Sequence, residues 1–251
     1  MSGHSKWSTI KRKKGAEDAK RGKIFTRLAR EITMAARQGG GDPEANPTLR
    51  LAVEKARAAN MPKDNIQRAI ARGTGEGGDA EALEEITYEG YAPNGVAVLV
   101  DCVTDNKNRT LAEVKHIFSK YGGSLASPGS VTWQFEQKGY ISISANGVDF
   151  DEVFMVAADA GAEDVELEGD EITIYTPRED AAAVADALRE AGYEIDEFQL
   201  TWVAKNEVSL SKEDTLKVMN VIEKLEDLDD VQNVSSNLEI SDEALEALSA
   251  A

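Results

Sequence analysis

The chain has 251 residues, 41% of them hydrophobic, with 28 Lys+Arg against 46 Asp+Glu and a formal net charge of −18. That length exceeds one typical domain and suits two or three small ones, each large enough for its own core. The most apolar run, residues 96–100, is far too short to cross a bilayer, and Cys102 stands alone, which excludes an internal disulfide and fits a reducing cytoplasm. The first residues lack the apolar stretch of a secretory leader. Glu17, Asp18 and the lack of a Ser-rich tract argue against an organelle-import leader as well, so a cytoplasmic protein is expected.

The charge is segregated. Residues 1–37 hold 11 Lys and Arg against Glu17, Asp18 and Glu31. Up to Gly78 the balance is 17 basic to 8 acidic side chains, and over the remaining 173 residues it is 11 to 38. Such a division bears on partners rather than on fold. A cationic head on an anionic body orients itself on a polyanion, with the head attracted and the body repelled. The competing reading is a solvated basic tail with no partner.

In chain order, residues 1–16 are polar, cationic and punctuated by glycine, and read as a mobile arm. From about Glu17 the spacing of Phe25, Leu28, Ile32 and Ala35 is helical, ending at Gly39-Gly40-Gly41. Asn46-Pro47 is an N-cap and first-turn pair for a second helix through Leu49, Val53 and Ala56. Pro62 opens a third, with Ile66, Ala69 and Ile70, ending at Gly73. Residues 17–75 are therefore expected to form a helical domain. After an acidic, Gly-rich linker the period changes. Residues 86–88 and 96–100 read as a strand pair joined by Pro93-Asn94-Gly95. Thr110-Leu111-Ala112-Glu113 reads as a capping box for a helix with Val114, Ile117 and Phe118, and residues 131–135 as a strand.

Residues 139–201 follow the order strand, helix, strand, strand, helix, strand, with Gly161 and Gly192 closing the helices and Thr176-Pro177 capping the second. That is the ferredoxin-like βαββαβ arrangement. Residues 211–225 read as a further helix and 231–234 as a last strand. Neither buries itself, so both are expected to return to the 80–138 segment. The expected class is α+β: a three-helix domain, then a discontinuous α/β domain of 80–138 with 202–240, into which the unit of 139–201 is inserted.

Few signals for chemistry survive. Residues 73–78 satisfy G-x-G-x-x-G as a string but follow a helix and precede acidic residues, which is a linker and not a dinucleotide loop. Lys138-Gly139-Tyr140 begins like an RNA-recognition strand, yet 139–201 carry 2 basic and 17 acidic side chains, which would repel phosphate. His4 and His116 have no metal-ligand spacing to Cys or carboxylates. No nucleophile motif is present, so no enzyme, metal or cofactor is expected.

Two features remain. The first is the head: Lys6, Lys11, Arg12, Lys13 and Lys14 on the arm, with Lys20, Arg21, Lys23 and Arg27 on the first helix, form a candidate contact to phosphates. Trp7 is either a stacking surface for a base or an anchor that folds the arm back. The second is residues 104–110, a polar loop running into a helix N-terminus. There Lys107 and Arg109 either bind a phosphate or merely offset Asp105 and its neighbours.

Gly3-His4-Ser5-Lys6-Trp7, Arg21-Gly22-Lys23-Ile24-Phe25, Gly40-Gly41-Asp42-Pro43, Asn60-Met61-Pro62, residues 104–110 and Pro128-Gly129-Ser130-Val131 together resemble the hallmark stretches of YebC/PmpR proteins. These are bacterial proteins related to mitochondrial translational activators of cytochrome oxidase. The likeness runs over nearly the whole chain, and only the tail beyond about Ser241 is generic. It implies three domains and a nucleic-acid-binding regulator of gene expression, described as a DNA-binding transcriptional regulator. The alternative it implies is a ribosome-associated translation factor that binds ribosomal RNA and aids synthesis of proline-rich stretches. Nucleic acid is the expected partner either way, and a monomer the expected state.

Overall fold

The computed structural model describes residues 18–76, 83–241 and 243–244. The arm of 1–16, with Lys6, Trp7, Lys11, Arg12, Lys13 and Lys14, lies outside them, and of Lys20 and Arg21 only the helical backbone is described. The chain divides into two compact units, Met1–Glu136 with Val203–Ala251, and Gln137–Trp202.

The first unit begins with α1 (Asp18–Gly39), α2 (Pro47–Ala58) and α3 (Lys63–Thr74). Leu28, Ile32, Ala35 and Ala36 of α1 bury against Leu49, Ala52, Val53 and Ala56 of α2 and Ile66 and Ala69 of α3. Apolar residues at three- and four-residue steps make one stripe per helix, and the three stripes close on each other. Asn46 caps α2 by accepting from the Leu49 amide at 3.1 Å, while its Nδ2 donates to the Ala35 and Gly40 carbonyls at 2.8 and 2.9 Å. One side chain therefore starts α2 and ties it to the end of α1. α1 and α3 cross closely at Gly73. A Cβ there would lie 2.4 Å from the Thr33 carbonyl oxygen and 2.7 Å from the Ala36 Cβ.

The chain continues through β1 (Glu84–Tyr91), β2 (Ala97–Thr104), α4 (Lys107–Lys120) and β3 (Ser124–Leu125) into β4 (Phe135–Ser144). Next come α5 (Phe150–Asp159), β5 (Asp164–Glu168), β6 (Glu171–Pro177), α6 (Ala181–Glu190) and β7 (Glu197–Ala204). It resumes as β8 (Val208–Ser209), α7 (Lys212–Glu226), β9 (Val231–Ser236) and β10 (Leu238–Glu239).

In the inserted unit the sheet order is β5-β6-β4-β7, with β6 antiparallel to both β4 and β5. This is the ferredoxin-like topology. Ile141, Ile143, Val165, Ile172 and Ile174 pack on Val153 and Ala157 of α5 and on Val184, Ala185 and Leu188 of α6.

In the first unit the sheet order is β3-β1-β2-β9. β9 pairs antiparallel with β2, Val100 opposite Val234, so the late strand completes the sheet begun by the early hairpin. Strand alternation gives the sheet two faces. On one, Tyr88, Val98, Val100 and Val234 pack on Val114 and Phe118 of α4 and on Val218, Met219, Ile222 and Leu225 of α7. The other carries Glu85, Thr87 and Glu89 of β1 opposite Val103, Asp101 and Leu99 of β2. α1 reaches this second face at one end. Met34 packs with Leu83 and Val103, Arg37 Nη1 donates to the Leu83 carbonyl at 2.6 Å, and Gln38 Nε2 donates to Glu85 at 3.1 Å. Residues 96–100 are fully buried, which is why they read as an unbroken apolar run.

Three local expectations are corrected. α4 starts at Lys107, with Asn106 as its cap accepting from the Arg109 amide. Thr110 is instead buried inside the helix, its hydroxyl 2.6 Å from an Asp230 oxygen. Residues 131–135 are not one strand. Thr132–Gln134 form a 3-10 turn and β4 starts at Phe135, because the Val131 and Thr132 amides are taken by the Glu89 carboxylate rather than by a neighbouring strand. β6 runs on to Pro177, and α6 starts at Ala181 behind Asp180.

Candidate nucleic-acid interface

The cations of α1 divide by where the helix packs. Lys23 Nζ donates to the Asp227 carbonyl at 3.1 Å. Arg30 donates through Nη1 to the Asp229 carbonyl and through Nη2 reaches Asp230 Oδ1 at 2.7 Å. This edge of α1 is therefore occupied by the turn between α7 and β9. Arg27 is exposed on the same helix and has no side-chain partner among the described residues.

Asp230 also organises the polar loop. Its carboxylate is buried, and its Oδ2 accepts from Thr104 Oγ1 at 3.0 Å, Thr110 Oγ1 at 2.6 Å and Arg109 Nη2 at 2.7 Å. Burial alone raises the carboxyl's pKa. The bonds from Thr110, Arg109 and Thr104, with the charge of Arg30, outweigh burial and hold it below the usual carboxylate range. Arg109 also donates to Asp105 at 2.8 Å. Its pKa is raised, first by the bond to Asp230 and then by the bond to Asp105. Lys107 Nζ lies 2.5 Å from Glu84. The two loop cations thus each hold carboxylate partners, which is the offsetting arrangement of the two readings. Their side chains remain 47% and 43% exposed, so both still present charge to solvent.

The helical part carries further exposed cations that sequence reasoning passed over. Arg57 ends α2, Lys63 begins α3, and Arg72 lies in the last turn of α3, each exposed and without a side-chain partner among the described residues. Arg68, also exposed on α3, donates to Asn65 and to the Asp64 carbonyl. The available signal was the helical period, since these positions fall off the apolar stripes. With Arg27 they place exposed cations on all three helices. Such cations attract phosphates through charge.

Among the described residues no group of three or more His, Cys, Asp and Glu is placed to hold a metal, and no helix is long and apolar enough to cross a membrane. His116 is exposed on α4.

Residues 5–76 match the family described as the TACO1/YebC protein N-terminal domain, and residues 83–238 match the TACO1/YebC second and third domain. A protein of Roseiflexus castenholzii named as a probable transcriptional regulatory protein is 58% identical over 250 residues, covering 98% of each chain. One of Thermotoga maritima with the same name is 54% identical, covering 99% of this chain and 98% of its own. The crystal structure of a conserved hypothetical protein from Aquifex aeolicus superposes with a TM-score of 0.82 at 47% identity, over 90% of this chain and 93% of that one. With both family domains matched in order and the fold shared with this relative, the chain belongs to the TACO1/YebC family.

Proposed function

We propose that this protein is a nucleic-acid-binding regulator of gene expression that grips a phosphate backbone with its basic head while its acidic body stays in solvent. The observation that carries this reading is the charge division, 17 basic to 8 acidic side chains up to Gly78 and 11 to 38 beyond it. Lys6, Trp7, Lys11, Arg12, Lys13, Lys14, Lys20 and Arg21 make the first contact, continued by Arg27, Arg57, Lys63 and Arg72. Lys23 is committed to Asp227 and buttresses α1. Lys107 and Arg109 add a second, weaker contact, because carboxylates already neutralise them. The relatives' names favour promoter DNA as the polyanion.

A second reading, ribosomal RNA as the polyanion of a translation factor, is favoured by one feature. The free cations sit on three different helices, which suits scattered backbone phosphates better than a single row of base edges. Competition for the whole protein between promoter duplex, random duplex and ribosomal RNA fragments separates the two. Promoter DNA exceeding random duplex by about a thousandfold selects the operator reading. Ribosomal RNA displacing both duplexes selects the translation reading, and no binding to any of them overturns both.

A further inference from the structure

The loop of residues 126–134 is built around a buried carboxylate. Glu89, on the second face of the sheet, accepts from the amides of Gly129, Val131 and Thr132 at 2.5, 2.6 and 2.9 Å. Tyr91 Oη donates to the Ser130 carbonyl at 3.3 Å, which adds a fourth tie. A loop with its amides tied to one carboxylate has few conformations left, so whatever it displays is displayed in a fixed place. What it displays is Trp133, 68% exposed. The only polar atom of the ring is already used, since Nε1 donates to the Ser130 carbonyl at 2.9 Å. The ring therefore offers solvent an apolar π-surface of set orientation. A lone exposed apolar side chain is commonplace. A tryptophan pinned by its own loop on a carboxylate-anchored turn is not that case.

Charge decides what suits it. From Val114 to Phe135 the sequence has no carboxylate and carries Lys115 and Lys120, within a body that is otherwise strongly acidic. Lys205 Nζ donates to the Trp133 carbonyl at 3.1 Å, placing a cation against the backbone of that residue. Glu136 and Glu207 stand next in sequence, each engaged in an interaction of its own. Position decides the rest. Glu85, Thr87 and Glu89 alternate onto one face of the sheet. α1 docks on that face at Glu85 through Gln38, and the Trp133 loop docks on it at Glu89. The two anchor points are four residues apart along β1, about 13 Å at roughly 3.3 Å per residue. The first helix, which carries Arg27, and the loop that carries Trp133 thus dock on the same face of one sheet.

We propose that Trp133 is a stacking platform for an unpaired nucleobase, of the kind that the loop of a folded RNA displays, with Lys205 beside it for the adjoining phosphate. Aromatic stacking of this sort accepts any base, since every base has a π-face. It gives no grip on a closed duplex, whose bases are stacked on one another. The inference rests on the nucleic-acid reading above and adds to it a site and a requirement for unpaired bases.

The test uses the full chain carrying Trp7→Phe and Trp202→Phe, so that Trp133 is the sole tryptophan. Its probes are an RNA hairpin with an unpaired loop, a single-stranded DNA of the loop sequence, and a blunt duplex. The hairpin is expected to quench Trp133 fluorescence, and the duplex to bind without quenching. In the otherwise natural chain Trp133→Ala is expected to weaken hairpin binding about 5- to 150-fold while leaving duplex affinity unchanged. Trp133→Phe should restore most of the loss. Circular dichroism superimposable on the parent's establishes that both variants fold, as the exposure of the residue leads one to expect. Equal quenching by the single-stranded DNA would support the platform and place its source in any unpaired strand. Unchanged hairpin affinity in Trp133→Ala with no quenching overturns the platform while leaving nucleic-acid binding intact. Failure of every probe to bind the parent chain overturns the broader reading as well. Hairpin affinity unchanged in Trp133→Ala while a ribosomal protein crosslinks at position 133 would make the indole a protein contact and overturn the proposal too.

Discussion

Arg30 and Asp230, two hundred residues apart in the chain, meet as an ion pair of 2.7 Å whose carboxylate is only 2% exposed. The pair fastens the first helix to the turn before β9. Because the same carboxylate holds Thr104, Thr110 and Arg109, it fastens the polar loop to the helix as well. Lys23 and Arg30 are thereby spent on architecture, whereas Arg27, Arg57, Lys63 and Arg72 are exposed and without a side-chain partner among the described residues.

Replacing Asp230 by Ala leaves two guanidinium groups and two buried hydroxyls without their acceptor. Removing one member of a buried, hydrogen-bonded pair typically costs on the order of 3–5 kcal/mol. The partial exposure of Arg109 points to the lower end. Denaturant melts should show that loss, and Asp230→Asn should recover part of it. The folded-state pKa is depressed, so the stabilisation is full above roughly pH 4 and disappears as the pH falls through the lower folded value. An acid titration of Asp230→Asn should therefore show a shallower decline below pH 4 than the parent.

Glu89 is the matching case for the Trp133 loop. Burial raises its pKa, but the bonds from the Gly129, Thr132 and Val131 amides and the Thr132 side chain overcome this and lower it. In Glu89→Gln one oxygen becomes a donor facing amide donors, at a cost of about 1–3 kcal/mol. Hydrogen exchange at Val131 and Thr132 should accelerate, with the amides of β2 unaffected. Loss of protection across the whole sheet would show that Glu89 supports more than the loop.

Gly73→Ala opposes two effects. Alanine gains up to about 1 kcal/mol of helix propensity over glycine. Its Cβ meets the Thr33 carbonyl at 2.4 Å, backbone that yields only if α1 moves, and overpacking of that kind costs about 1–3 kcal/mol. The clash should win. We expect a net loss of about 1–2 kcal/mol, read as a drop of a few degrees in Tm.

Charge removal should appear in the salt dependence. A footprint of about six phosphates predicts a log–log slope near −5 on duplex DNA and near −4 on a single strand. Changing Lys11, Arg12, Lys13 and Lys14 to Ala should weaken binding and flatten that slope. Changing Arg57, Lys63 and Arg72 to Ala should do so by up to about three phosphates' worth. A slope that does not move in the first variant means the arm is not the contact.

Much of this molecule was legible in one dimension, because the forces that set it are local. The helical stripes of Leu28, Ile32 and Leu49, Val53, the cap at Asn46, the turn at Asn94-Gly95, and the strand and helix order of the inserted unit each follow from spacing and backbone preference within a few residues. The division of charge is likewise a property of composition. What only the tertiary structure decided is which charges are free. Asp230 looks like any other carboxylate of an acidic chain until β9 pairs with β2 and brings it under Thr104, Arg109 and Arg30. Glu89 is one exposed-looking acid of a strand until the loop folds three amides onto it, and Trp133 gains its outward setting from that event. Burial of a charged group depends on contacts from distant parts of the chain. Periodicity marks which face a residue takes but carries no record of what arrives to cover it.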